Sequence, residues 1–364
     1  CLVGSGLKRG DRVGVFLDNR PETVVAFFAV LKAGGAFLPI NPTTRARKLC
    51  HLLSHSGSRF VVTDRRRANL VKQSAAELPE LHGVIGVGGT PELPESWLAI
   101  DFADAASSEA PAELPRVIDV DLAALIYTSG STGQPKGVVH TTGGSLVYAA
   151  MTHEVVFDYR AGDIFWCTAD VGWVTGHSYI IYGPLANGAI TLMFEGLPTW
   201  PDSSRMWQVC DKHDVNIFYT APTAIRALMR DGDEPVTKTS RKSLRLLGTV
   251  GEPINPEAWM WYHRTIGGER CPIIDTWWQT ETGAIMITPL PGVTETKPGT
   301  ATRAFPGIDV TIMNDAGETT PAGYLAITSP WPSMLRTVWG DDERFKETYW
   351  SKWDNIYFPG DGAK

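Results

Sequence analysis

Hydrophobic positions along the chain fall into short apolar runs that alternate with stretches of helical spacing. Arg12-Val-Gly-Val-Phe-Leu17 reads as a strand. After it, Val24, Phe27, Phe28 and Leu31 recur at i, i+3, i+4 and i+7. That spacing predicts a helix opened near Pro21 and stopped by Gly34-Gly35. A helix over Arg45 to His55 and a strand over Arg59 to Thr63 repeat the unit, and Leu122 to Ile126 is a further apolar run. From Asp163 onward such runs begin near Ile164, Ala189, Val215, Leu244 and Pro272, with helical periodicity between them, as in Pro256 to Ile266. This rhythm predicts an α/β fold of βα units on largely parallel sheets, with ligands beyond the carboxyl ends of the strands. Past Gly299 the pieces shorten and alternate: Ile308 to Met313, a turn at Asp315-Ala-Gly317, then Tyr324 to Thr328. These read as antiparallel strands of a small barrel-like subdomain.

Composition narrows the class. At 364 residues and 43% hydrophobic, the chain is large enough for two or more packed subdomains. Four prolines between Thr90 and Pro115 mark a soft boundary. The expected segments are residues 1–114, 115–300 and 301–364. A net charge of −7 argues against nucleic acid or an anionic membrane as partner and leaves oligomeric state open. Five scattered cysteines, with no C-x-x-C pair, read as reduced thiols in a cytoplasmic protein. The apolar run Val24 to Leu31 is too short to cross a bilayer, and no signal peptide is visible. Because the chain opens on Cys1 and stops at Gly360-Asp-Gly-Ala-Lys364, a piece of a longer protein is expected.

The densest chemistry sits in Tyr127-Thr-Ser-Gly-Ser-Thr-Gly-Gln-Pro-Lys-Gly137, entered from an apolar strand. Glycines let backbone N–H groups approach phosphate oxygens, hydroxyls add donors, and a lysine meets charge that grows as a phosphate reacts. Thr128, Ser129, Gly130, Ser131, Thr132 and Gly133 are therefore candidate phosphate ligands, with Lys136 as a catalytic cation. The spacing is not that of a Walker A loop, which requires Lys-Ser/Thr after its last glycine. A flexible Gly/Ser linker is the plainer alternative. A second candidate is Pro272-Ile-Ile-Asp-Thr-Trp-Trp-Gln-Thr-Glu-Thr-Gly283. Glu281 offers the hard oxygen Mg²⁺ prefers, and Thr280 a donor for an α-phosphate. Glu281 as a helix-capping carboxylate is the alternative.

The loop Tyr-Thr-Ser-Gly-Ser-Thr-Gly-x-Pro-Lys-Gly resembles the phosphate-loop signature of the adenylate-forming superfamily. Val138-Val-His-Thr-Thr-Gly-Gly144, Asp170-Val-Gly-Trp-Val-Thr-Gly-His177 and the Trp277-Trp278 pair resemble its AMP-forming acetyl-CoA synthetase branch. The resemblance implies the adenylate-forming N-terminal fold and a reaction in which acetate attacks ATP. Pyrophosphate leaves, and coenzyme A then displaces AMP, with ATP and Mg²⁺ required. It implies that Gly251, Glu252 and Pro253 run along the adenine, that Asp275, Thr276, Trp277, Trp278, Gln279 and Thr280 belong to the nucleotide site, and that Asp361 accepts from the ribose hydroxyls. Val174, Thr175, Val250 and Trp278 would line a small acyl pocket, Trp278 setting its size; Trp278 as plain core is the alternative. Asp361 lies in Tyr357-Phe-Pro-Gly-Asp-Gly362, where Pro359 replaces the small hydroxyl residue usual in the family. Arg65-Arg-Arg67 reads as a solvated charge run, or as a contact for coenzyme A phosphates. No catalytic histidine is expected, since the carboxylate nucleophile is already ionised; His177 reads equally as a buried core histidine. The family's C-terminal domain and its lysine lie outside this sequence. The rival readings are a propionate-preferring or peptide-synthetase-like adenylation domain, and a nucleotide-binding fragment without full turnover.

Overall fold

The structure, a computed structural model, describes residues 1–109, 113–128 and 135–364. They group into two compact units, residues 1–144 with 170–177 and residues 145–169 with 178–364.

The first unit is built on seven strands: β1 (Arg12–Phe16), β2 (Ala36–Pro39), β3 (Ser58–Asp64), β4 (Gly83–Val87), β5 (Leu98–Asp101), β6 (Leu122–Thr128) and β7 (Lys136–Thr141). Their order is β5-β4-β3-β1-β2-β6-β7, parallel throughout except for the antiparallel pair β6–β7. Composition set a soft boundary near residue 115, yet β6 pairs with β2 and so carries the hydroxyl-rich loop on the sheet of the preceding hundred residues. Val13, Val15 and Phe16 are all buried, as expected of a parallel strand covered on both faces.

The helix after β1 spans Pro21–Lys32, with proline in its first turn. Its buried stripe is Thr23, Ala26, Phe27 and Val30, one position earlier than the Val24, Phe27, Phe28, Leu31 stripe that the spacing predicts. The segment is apolar nearly all round, so periodicity alone does not fix its rotation. The rotation is set by Phe27 stacking on Phe37 of β2, with ring centroids 4.3 Å apart, and by the Thr23 hydroxyl donating to the Asp18 carbonyl. Full burial of a ring such as Phe27 contributes about 1.5–3 kcal/mol.

Arg65 and Arg66 are exposed at the start of the helix Arg65–Gln73, but Arg67 is not part of a solvated run. Its guanidinium donates in a fork to Asp18, at 2.8 and 2.6 Å, pairs with Asp64 and lies over the Phe16 ring. Planar bidentate geometry suits such half-buried pairing.

The second unit holds a five-stranded parallel sheet of β8 (Ile164–Cys167), β9 (Ile190–Leu192), β10 (Ile217–Thr220), β11 (Leu246–Thr249) and β12 (Ile273–Asp275), in the order β12-β11-β10-β8-β9. Each begins within two residues of the expected start. Helices Arg205–Lys212, Pro222–Met229 and Pro256–Trp261, the last continuing into a π-helical turn at Tyr262–Ile266, contribute Trp207, Ile225, Trp259 and Tyr262 to one core against Phe218 and Leu247. Register brings Thr220, Thr249 and Asp275 side by side at the carboxyl edge. A smaller antiparallel sheet follows: β13 (Val310–Met313), β14 (Gly323–Ile327) and β15 (Gly362–Ala363). Among the described residues no helix is long and apolar enough to cross a membrane.

Candidate functional site

In the first unit the hairpin β6–β7 fixes the two ends of the hydroxyl-rich loop by pairing Thr128 with Lys136. Ser129, Gly130, Ser131, Thr132 and Gly133 lie outside the described residues. The Tyr127 phenol and His55 Nδ1 are 2.6 Å apart, anchoring the strand just before the loop. The Thr128 hydroxyl oxygen is buried and has no hydrogen-bond partner among the described residues. A buried hydroxyl at a loop mouth needs a partner, and a phosphate oxygen is a suitable one.

The segment 170–177 is held mainly through its backbone. Val171 N–H donates to Asn19 Oδ1 at 2.9 Å, and Gly172 N–H to Asp170 Oδ1 at 2.6 Å. At Gly172 a Cβ would meet the Asn41 backbone at 2.7 Å, and at Gly176 it would overlap the Asp170 carbonyl, so both positions require glycine. Val174 and Thr175 are thereby presented half-buried. His177 is a core residue, 2% exposed and set edge-on to Phe37; burial first, then the nearby His140, pushes its imidazole down to about 3.

In the second unit the run after β12 is tied down by side chains distant in sequence. Trp277 Nε1–H and Gln279 Nε2–H both donate to the same oxygen, Asp361 Oδ2, at 3.0 and 2.8 Å. Gln279 Nε2 also donates to the Pro359 carbonyl at 3.0 Å, and Gln279 Oε1 is buried without a partner among the described residues. Pro359 therefore fits this turn through its carbonyl, while Gly360, at φ 87°, makes the left-handed step that delivers Asp361. Trp278 is 9% exposed, donates from Nε1 to the Tyr219 hydroxyl at 3.2 Å and meets the Tyr179 ring edge-on. Thr276 hydrogen-bonds the Thr249 carbonyl. Asp275 accepts from the Thr249 hydroxyl at 2.5 Å; burial nevertheless outweighs that bond and pushes its carboxyl up to about 6.

Glu281, 9% exposed, accepts from the Tyr349 phenol at 2.7 Å, and its carbonyl accepts from Leu335 N–H at 3.0 Å. Burial and the adjacent Glu281 carboxylate raise the Tyr349 phenol, which therefore stays a donor. Thr280 is half-buried on the same turn. No cluster of three metal-ligating carboxylate, histidine or cysteine side chains occurs among the described residues. A single oriented carboxylate still suits Mg²⁺ carried by a polyphosphate, because that ion takes one or two protein carboxylates and fills its shell from phosphates and water.

Just past β11, Val250 is 6% exposed and Gly251 is at φ 91°. The Glu252 carboxylate turns toward the start of the helix Pro222–Met229, accepting from Thr223 N–H at 2.7 Å and pairing with Arg226 at 2.8 Å. Gly251, Glu252 and Pro253 are all exposed. Sequence reasoning did not single out Asn19 in the first unit, nor Tyr219 and Tyr349 in the second. Asn19, next to Asp18 just past the carboxyl end of β1, carried a positional signal; the residues around the two tyrosines carried none.

A family model described as AMP-binding enzyme matches residues 1–339, and the chain belongs to that family. It is 52% identical over 380 residues to the acetyl-coenzyme A synthetase of Syntrophobacter fumaroxidans and 50% identical over 381 residues to acetyl-coenzyme A synthetase 2 of Pseudomonas aeruginosa. In both cases all of this chain is covered, and it spans 58% and 59% of those proteins' lengths. Among solved structures, an acyl-CoA synthetase from Brucella canis matches with a TM-score of 0.86 at 27% identity, over 99% of this chain and 64% of that one.

Proposed function

We propose that this chain supplies the nucleotide- and acyl-binding part of an AMP-forming acetate–CoA ligase. The observation that carries the reading is the convergence of Trp277 and Gln279 on one oxygen of Asp361, which joins two separate stretches of the proposed adenylate site within one unit. Similarity to proteins named acetyl-coenzyme A synthetase supports the choice of acid.

In this reading an acetate oxygen attacks the α-phosphorus of ATP, pyrophosphate departs, and the thiol of coenzyme A displaces AMP from the acetyl adenylate. Asp361 accepts from the ribose, using the oxygen not already shared by Trp277 and Gln279, and Gln279 Oε1 is a second acceptor beside it. Lys136, Thr128 and Thr280 act on the phosphates, with Ser129, Gly130, Ser131, Thr132 and Gly133 assigned by sequence. Glu281 would hold Mg²⁺, which supplies charge neutralisation to the phosphates when bound. The adenine lies along Gly251, Glu252 and Pro253, where main-chain atoms do the recognising. Val250 and Trp278 limit the acyl group, and Val174 and Thr175 are assigned to the same substrate. None of these groups needs to act as general base on an ionised carboxylate, so positioning and charge carry the rate.

The test is acid-dependent pyrophosphate exchange into ATP by the protein at its natural length. Acetate should support the fastest exchange, propionate less, and butyrate and amino acids little. Preference for propionate or an amino acid would reassign the substrate. Binding of an acyl-adenylate analogue without exchange would reduce the reading to nucleotide binding.

A further inference from the structure

Trp278 is the residue to which the proposal assigns acyl size, and a planar indole selects by size only if its plane is fixed. We infer that Tyr219 is a specificity-determining positioning residue, which locks the Trp278 indole through a one-way hydrogen-bond relay ending on the backbone of β11. The inference rests on the acetate-ligase reading and deepens it.

The direction of the relay follows from donor chemistry. An indole N–H only donates, so at 3.2 Å the Tyr219 oxygen must be the acceptor. The Tyr219 hydroxyl hydrogen is then left for Thr276 Oγ1, 2.7 Å away. Thr276 in turn donates to the Thr249 carbonyl at 2.7 Å, an oxygen that cannot donate. Every hydrogen in the chain Trp278, Tyr219, Thr276, Thr249 therefore has one place to go. Reversing the first step sets two donors face to face, and reversing the second leaves the Thr276 oxygen and the Thr249 carbonyl facing each other with no hydrogen between them.

Sterics hold the middle of the relay in place. Tyr219 is fully buried, and in the parallel register it sits opposite Gly248 of β11. A Cβ at residue 248 would come within 2.8 Å of the Tyr219 ring and 3.1 Å of Ile274, so the glycine makes the room the phenol occupies. The other faces are closed by Phe157, at 4.9 Å, and by Tyr179, which contacts both Tyr219 and Trp278 edge-on at 5.8 and 5.2 Å. Tyr179 is pinned by Thr152 and by Ile285 N–H. Tyr219 thus cannot turn away to pair elsewhere, and an indole that swung out of position would leave a buried phenol oxygen short of its donor. This fixes the wall independently of acyl binding.

The experiment compares Tyr219→Phe, Thr276→Val and Trp278→Gly in the protein at its natural length, reading kcat/KM for propionate and butyrate relative to acetate. A ratio of two acids on one preparation does not depend on how much of it is folded. One methylene in an apolar pocket is worth roughly 10–200-fold in discrimination. Tyr219→Phe keeps the ring and frees the indole, so the propionate-to-acetate ratio should rise by roughly tenfold. Thr276→Val, which leaves both rings intact, should raise it less, and Trp278→Gly should extend acceptance to butyrate and beyond. If Trp278→Gly broadens the range while Tyr219→Phe leaves the ratio within twofold of the parent, the relay does not set specificity and the inference is overturned. If Trp278→Gly itself leaves the preference unchanged, the pocket assignment fails first.

Discussion

Two segments that carry the proposed chemistry are held in opposite ways. In the first unit the loop mouth and residues 170–177 are fixed largely by main chain, through a strand register at Thr128 and Lys136 and glycines fitted against backbone, with a single N–H bonded to the Asn19 side chain. In the second unit residues 275–281 are fixed by side chains reaching in from Tyr219, Tyr349 and Asp361, the nearest of them more than fifty positions away. The difference teaches where each segment is vulnerable. A main-chain support fails when a Cβ is added; a side-chain support fails when one polar atom is removed.

The largest expected effect tests the side-chain-held segment. Glu281→Gln should lower acetate-dependent pyrophosphate exchange by about 10²–10³-fold with the fold retained, as for removal of a group that stabilises developing charge. Tyr349→Phe, which deletes only the phenol that orients that carboxylate, should cost about tenfold. It should do so chiefly as a higher Mg²⁺ concentration for half-maximal ATP binding, read by calorimetry without turnover. An unchanged Mg²⁺ dependence in both variants would separate Glu281 from the metal.

A smaller effect is expected from Asp275. Its carboxyl, raised by burial to about 6, binds its proton more tightly in the folded chain than in the unfolded one. Its contribution is therefore complete below the ordinary carboxylate range and is lost as pH climbs through 6. Relative to Asp275→Asn, the parent should lose on the order of 1–3 kcal/mol of unfolding free energy between pH 4 and pH 7, measured by urea titration. Parallel curves at the two pH values would show that the carboxyl titrates normally.

The smallest effect should fall on the main-chain-held segment. Asn19→Ala removes a single side-chain acceptor from Val171 N–H and should cost about 1 kcal/mol of stability, with acid preference unchanged. A change in the propionate-to-acetate ratio as large as that of Tyr219→Phe would erase the distinction between the two segments.

The same contrast explains what was legible beforehand. Apolar runs located the strands of the second sheet because all but the edge strand β9 are largely buried on both faces, and the run Tyr127 to Gly137 stood out as a candidate because glycines, hydroxyls and a lysine stand close together in sequence. Motifs built from neighbours can be read from neighbours. The rotation of the helix Pro21–Lys32 could not, because an all-apolar helix leaves the choice of buried face to its partner, here Phe37. Arg67 looked solvated because its partner Asp18 lies 49 positions earlier in the chain. Tyr349 and Tyr219 were hidden for the same reason: whether in the charged helix Asp342–Trp350 or in the apolar strand β10, a phenol shows no role until the group it touches is known.

Asp361 has one more property that bears on protein engineering. Its carbonyl accepts from Leu325 N–H, and the next two residues form the two-rung strand β15 against Tyr324 and Gly323. The proposed sugar-binding carboxylate is thus mounted on a sheet edge aligned by those two pairs and by the bridge of Tyr357 to Ile327. Deleting or inserting one residue between Trp353 and Pro359 would shift that alignment and flip the carboxylate to the opposite face, whereas length changes at the Asp315–Gly317 hairpin tip would leave it where it is.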